Sequence, residues 1–236
     1  ELKNAKNVQI IGNFFSNNVV GSAFRLTVRN QDGKAPFSTI EDVIVQNNVF
    51  KGSGEGINIL GSDNIFPSQK MKRVKIINNL LMDIGSAKWE GSGYFIQIAD
   101  SEDVEVANNT VFQDGTMLVV YGSAPKNFRF RDNILGHGIY GTHIEGSSFA
   151  SNPAGYFSSI MKNNVIVNNR NVSDGDLSIP GNNFKVLSYQ QVGFSNLAAK
   201  SFSLATTSKF KGKSAGGKDI GANIEEIMKA MPKELF

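Results

Sequence analysis

Apolar residues recur two apart in short runs down the chain. Val8-Gln-Ile10, Val43-Ile-Val45, Val74-Lys-Ile76, Val104-Glu-Val106 and Phe128-Arg-Phe130 each set two apolar side chains on one side of an extended segment. This is the period of a half-buried strand. Each run leads to an Asn and then returns at once to apolar residues, as in Asn48-Val-Phe50 and Asn79-Leu-Leu81. Asn13, Asn48, Asn79, Asn109, Asn133 and Asn164 hold the same frame in six repeats, separated by 35, 31, 30, 24 and 31 residues. Self-similarity at this period is the signature of a solenoid.

A second strand follows each Asn after a Gly-containing turn: Ala23–Arg29, Gly56–Leu60, Tyr94–Ala99, Met117–Tyr121 and Ile139–Ile144. No helical segment of ten or more residues interrupts the array before the C-terminal end, so doubly wound and (β/α)8 folds are excluded. An antiparallel sandwich stays open on strand pattern alone but gives no reason for Asn in one frame six times. The architecture expected is an all-β, right-handed parallel β-helix of about seven coils. The six Asn are expected to stack as a buried ladder at one corner, each amide bonding its neighbours. Residues 1–222 are read as coils. Residues 223–236 are read as an amphipathic helix, N-capped by Asn223 with Glu226 three residues on, lying over the last coil. The repeat is in phase by Val8 and nothing in residues 1–7 resembles a cap. The expectation is a fragment, with further N-terminal coils or a partner chain against the first coil.

Composition narrows the chemistry. The 26 Asn outnumber even the 24 Gly, which favours an architectural role for the repeated Asn. There is no Cys, which removes disulfides, thiol nucleophiles and Cys-ligated zinc, and His137 and His143 are the only histidines. The net charge of +3 comes without a Lys/Arg cluster, so no nucleic-acid partner is expected. No apolar run is long enough to span a membrane.

The Asn-Asn-x-Phe repeats resemble right-handed parallel β-helix proteins of the pectate-lyase-like superfamily. More narrowly, Glu1-Leu-Lys-Asn-Ala5, Arg29-Asn-Gln-Asp-Gly33 with Ala35-Pro36, Gly56-Ile-Asn-Ile-Leu-Gly61 and Lys218-Asp-Ile-Gly-Ala222 resemble the C-terminal part of bacterial β-helix repeat proteins. The resemblance implies a polysaccharide partner and a secreted, periplasmic or cell-surface location, since characterised relatives are mostly exported lyases and glycoside hydrolases. It specifies fold more than chemistry.

The residues themselves offer one candidate groove. If Phe24, Leu26 and Val28 point inward, Arg25 and Arg29 point out, joined on the next coils by Asn58 with Leu60, Phe95 with Gln97, and Val119 with Tyr121. Loops Asn30–Thr39, Gly61–Lys70 and Asp83–Gly93 flank this column. Elimination from an acidic polysaccharide requires charge neutralisation, a base and an acid. Arg29, Asp63 and Gln97 are the catalytic candidates, over a floor expected to be basic. Arg25, Asn58, Trp89 and Tyr121 are the substrate-binding candidates, Trp89 as an exposed stacking face on the rim. Asp32 and Asp63 are candidate calcium ligands. The reading is a polysaccharide lyase acting on an acidic polymer. Two others stay open. A non-catalytic carbohydrate-binding or adhesin-like β-helix would use Leu60, Phe95 and Val119 as an apolar patch. A glycoside hydrolase needs two carboxyl groups about 5–9.5 Å apart; Asp32, Asp63 and Glu90 are loop candidates, and His143 with Glu145 form a further acid–base pair on one side of a strand.

Overall fold

The structure is a computed structural model that describes residues 1–146, 152–173, 177 and 179–231. It is mostly strand, with two short helices, α1 (Pro153–Ile160) and α2 (Ile224–Ala230), among the described residues. One sheet stacks Ala5–Ile11, Ile40–Gln46, Lys72–Ile77, Glu102–Ala107, Arg129–Arg131 and Met161–Lys162, all parallel and in chain order. The second sheet is centred on Val49–Leu60, which pairs along its length with Phe14–Thr27. On its other side Val49–Leu60 serves two columns. Its first half pairs with Leu80–Ile84 and the strands stacked beyond it, its second half with Ile96–Ala99, Leu118–Tyr121 and Thr142–Glu145. Register is kept from repeat to repeat: Val8, Val43, Val74 and Val104 stand opposite one another in turn. Parallel strands in register around buried Asn fit a parallel β-helix.

The Asn doublets divide the work of the corner. The first member turns the chain through left-handed angles, at Asn47, Asn78, Asn108 and Asn163, with Gly12 and Asp132 in the same place elsewhere. The second points inward. Its Nδ2 donates to the Oδ1 of the next Asn, from Asn13 through Asn48, Asn79, Asn109, Asn133 and Asn164 to Asn183, at 2.8–3.0 Å. The same Oδ1 also accepts the backbone N–H of the Asn before it, as in Asn48 to Asn79 at 3.0 Å. The second Nδ2 proton goes back to the preceding coil, as in Asn109 to the Ile76 carbonyl at 3.0 Å. Five rungs, from Asn48 to Asn164, are completely buried. Asn13, the first rung, is exposed, with no described residue stacked on its outer side, and Asn183 is a seventh rung that the repeat pattern did not include.

Inside the coils Val43, Val45, Val74, Ile76, Val104, Val106 and Phe130 are wholly buried, and the rings of Phe15 and Phe50 stack at 4.8 Å between adjacent coils. One assignment of faces is overturned. Phe95 was expected outward and Tyr94 inward, but Phe95 packs into the core 5.8 Å from the Phe130 ring. The strand begins only at Ile96, so the chain is still rounding a corner at Phe95 and the two-residue alternation does not apply there. Among the described residues, the second column has no further strand after Glu145. Instead α1, N-capped by Asn152, puts Phe157 into the core.

The C-terminal segment is also placed differently. The parallel coils end near Val186, not at 222. An antiparallel pair, Phe194–Asn196 with Ser201–Leu204, follows. The chain then runs back along the outside of the stack. Asn163 donates to the Lys213 carbonyl, Asp132 accepts from Ala215, Asn108 donates to the Asp219 carbonyl, and the Asn78 side chain accepts from Asn223. Asn223 caps α2 as expected, but α2 lies beside the early coils, with Ala230 against Gly12, and does not cover the last one. Ile227 and Met231 are buried with Val49 and Leu80; residues 232–236 of the expected helix lie outside the described residues. Ala5–Ile11 is an edge strand, and Val8, Ile10 and Phe15 are half-buried where their counterparts Val43, Val45 and Phe50 are buried.

Asn109→Ala is expected to lower unfolding stability by about 1–3 kcal/mol, because it leaves buried amides unpaired on both neighbouring coils. Asn13→Ala should cost well under about 1 kcal/mol. Urea midpoints at unchanged m-value measure both, and equal losses at the two positions would contradict the ladder.

Candidate functional site

Register aligns the outward side chains of the second column in rows. Arg25 stands opposite Asn58, Asn58 opposite Gln97, Gln97 opposite Val119 and Val119 opposite His143. The adjacent row has Thr27 opposite Leu60, Leu60 opposite Ala99, and Tyr121 opposite Glu145. A cleft of about 590 Å³ opens over these rows, and Arg25, Arg29, Asn58, Asp63, Asp100 and Tyr121 line it. Among these, Arg25, Arg29, Asn58, Asp63 and Tyr121 are gathered as the sequence led one to expect, and Gln97 joins them through Asn58 Nδ2, which donates to Gln97 Oε1 at 2.8 Å.

The cleft residues differ in what they have left to offer. Arg29 donates to Asn64 at 2.6 Å and lies 3.9 Å from Asp63. Asp63 Oδ1 accepts from the backbone N–H groups of Ile65 and Phe66, and Oδ2 from that of Asn30. Burial pushes its carboxyl up, but these N–H donors and Arg29 outweigh it and hold the pKa below the ordinary carboxylate value. Both oxygens of Asp100 are also taken, by Ser62 and by Lys70 at 2.7 Å. The Glu1 carboxylate accepts from Thr27. Arg25 is exposed and has no ion pair among the described residues. The Tyr121 hydroxyl makes only long bonds, 3.4 Å to Asn58 and 3.3 Å to the Ile59 carbonyl. Burial pushes its pKa up to about 12, with Arg29 lowering it and Glu145 raising it.

Several expectations are corrected here. Trp89 is not on the rim. Only 3% exposed, it donates from Nε1 to Asp83 at 2.7 Å and its ring lies on Gly52, far along the strand from the cleft. Gly52 makes the room, since a Cβ there would come within 2.3 Å of the indole. Asp32 sits exposed in a single 3-10 turn, Gln31–Gly33, and does not line the cleft. It forms no calcium site with Asp63, whose oxygens the backbone already holds; among the described residues no three His, Asp or Glu gather as cation ligands. The floor is of mixed sign, with Glu1, Asp63 and Asp100 beside Arg25 and Arg29. Leu60, Phe95 and Val119 are buried, so no apolar patch forms there.

One cluster was missed. Glu55 accepts from Tyr94 at 2.7 Å, Ser22 at 3.1 Å and Ser92 at 3.1 Å, three residues before Asn58 on the same strand. Burial, reinforced by the Glu55 carboxylate, raises the Tyr94 pKa and keeps the phenol protonated. The available signal was a lone Glu inside Gly52-Ser-Gly-Glu-Gly56: Gly54 and Gly91 pack backbone to backbone, which brings Ser92 to the carboxylate.

No family model, curated protein or solved structure matches this chain. No helix of the described residues is long and apolar enough to cross a membrane.

Two outcomes follow from this geometry. Because Asp63 has a folded pKa below its unfolded value near 3.9, its contribution is present above about pH 4 and lost as pH falls through the folded value. The Asn30, Ile65 and Phe66 amide resonances should therefore shift together below about pH 4 in an NMR titration. Gly52→Ala should expel Trp89 from its packing, seen as a red shift and stronger quenching of the emission of the single Trp; unchanged emission would refute the buried indole.

Proposed function

We propose that this chain is a right-handed parallel β-helix of about seven coils, similar to the pectate-lyase-like superfamily. We read it as part of an exported polysaccharide-active protein that cleaves an acidic polymer by elimination. Seven Asn rungs support the coil number, and parallel crossovers are right-handed in about 98% of cases. The observation that carries the chemistry is the pairing, in one cleft, of an exposed unpaired guanidinium at Arg25 with a phenol at Tyr121 that stays protonated near neutrality. Arg25 and Arg29 hold uronate carboxylates of the polymer, Asn58 and Gln97 bond its hydroxyls, and Tyr121 gives a proton to the departing oxygen. Asp63 is assigned to positioning, as the staple of the Gly61–Lys70 loop. Hydrolysis by the cleft carboxylates Asp63 and Asp100 is disfavoured, because both oxygens of each are already taken by donors.

The test is a panel of uronate and neutral polysaccharides, reading unsaturated and reducing ends separately. Elimination gives both on a uronate polymer, and Arg25→Ala should lower kcat/KM at least about tenfold, or 1.4 kcal/mol. Reducing ends without unsaturation would make it a hydrolase; binding without either product would make it a binding module.

A further inference from the structure

The loops Asn30–Thr39 and Gly61–Lys70, on the first two coils, are tied to each other by buried polar groups. Asn30, only 2% exposed, donates from Nδ2 to the Pro67 carbonyl at 2.6 Å and from its backbone N–H to Asp63 Oδ2 at 2.8 Å. The Gln69 N–H donates to the Ser38 carbonyl at 3.1 Å. Asp63 Oδ1 accepts from the N–H groups of Ile65 and Phe66 at 2.8 and 3.1 Å, which folds residues 63–66 into one tight turn. The Phe66 ring lies across the other loop: a Cβ at Gly33 would stand 3.3 Å from its Cδ1 and within 3.8 Å of Cγ and Cε1. Yet the large apolar side chains of these stiff loops stay outside. Ile65 is 72% exposed, Phe37 65% and Phe66 39%. A rigid loop pair that holds apolar side chains in water is a surface shaped to meet a ligand.

Resting on the polysaccharide reading above, we propose that Phe66 and Ile65 form an outer subsite that takes the C–H face of a sugar ring of the same polymer, just beyond the cleft. The two surfaces are continuous. Ser62, Asp63 and Asn64 line the cleft, Arg29 donates to Asn64 at 2.6 Å, and the turn that carries Ile65 and Phe66 begins at Asp63. Their chemistries are complementary. The cleft offers charges and amides to the carboxylate and hydroxyls around the edge of a uronate ring, and the turn offers apolar surface to the C–H face of a neighbouring one. Size selects the occupant. Three apolar side chains edged by exposed Gln31, Lys34, Asn64 and Lys70 fall far short of the roughly 800 Å² that each partner of a stable protein complex buries, whereas a sugar ring needs only one exposed face. Asn30 and Asp63 already fix the turn, so little ordering remains to offset the contact. The subsite acts in binding and takes no part in the chemical step.

The experiment measures binding apart from turnover. The unaltered chain, Phe66→Ala, Phe66→Trp and Ile65→Ser are run in native gels containing polygalacturonate, alginate or hyaluronan, and retardation gives the affinity. Both side chains are exposed, so the variants should unfold thermally with the unaltered chain, and circular dichroism checks this. The expected result is that Phe66→Ala weakens binding at least about fivefold, Ile65→Ser weakens it less, and Phe66→Trp retains it, while kcat at saturating polymer stays within about twofold. Equal retardation of Phe66→Ala and the unaltered chain overturns the subsite and leaves the cleft standing. Retardation lost in Phe66→Ala, with no unsaturated ends released by the unaltered chain, supports the subsite and overturns elimination alone. No retardation of the unaltered chain by any of the three polymers overturns the subsite together with the reading it rests on. A dimer in sedimentation that Phe66→Ala dissociates makes the patch a contact between copies, and overturns the subsite as well.

Discussion

The rest of the structure depends on a carboxamide repeated once per coil. An amide is suited to this corner because it carries two protons to give and an oxygen that accepts twice. Each buried rung uses all of that capacity: one proton to the next rung, one to the backbone of the coil before, and an oxygen shared by an amide and a backbone N–H. A buried polar group is costly unless satisfied, and here it is satisfied only when three coils are in one register. The ladder therefore fixes register where apolar packing alone, which is tolerant of slips between similar Val and Ile positions, would not.

Register at the inner corner determines what faces solvent on the far side of the coil. Because Asn48 and Asn79 are locked rung to rung, Asn58 falls opposite Gln97 and Arg25 opposite Asn58, although loops of unequal length separate them in sequence. The cleft is thus a by-product of the ladder, built from coils and not from a single loop. Its chemistry is decided by a different criterion, namely which polar groups the fold itself has not used. Asp63, Asp100 and Glu55 hold loops and turns together. Arg25, Tyr121, His143 and Glu145 retain bonding capacity that faces outward, and such groups are the ones able to meet a ligand.

The period, the ladder and the gathering of Arg25, Arg29, Asn58 and Tyr121 were legible because each depends on local alternation or on a spacing repeated several times. Features set by close contacts between coils were not. The position of Trp89 depends on the missing side chain of Gly52, thirty-odd residues away, and a loop indole with a neighbouring Lys looks the same in sequence whether it is buried or exposed. The inward turn of Phe95 depends on where the strand starts, which the backbone bonds of Phe95 and Ile96 to the next coil determine. Asp63 looked like a ligand because a carboxylate in a loop has the right atoms; only the three N–H groups pointing at it reveal that they are occupied.

The C-terminal segment follows from the same corner that makes the ladder. Every ladder Asn is preceded by a residue in left-handed geometry, and turning the ladder side chain inward turns that preceding side chain outward. The result is a second column, Asn78, Asn108, Asp132 and Asn163, of amide and carboxylate groups along the outside of the stack. An irregular segment such as 210–223 carries backbone N–H and C=O groups with no sheet to satisfy them, and this column supplies the partners at coil intervals. A helix placed over the last coil would have left those backbone groups to solvent. Running beside the stack pairs them and lets Ile220, Ile227 and Met231 bury against Val49, Leu80 and Ile134. Asp132 is the one carboxylate in the column; completely buried, it is neutralised by Arg131 and accepts from both Asn163 and the Ala215 backbone, so one buried charge ties the segment to two neighbouring coils.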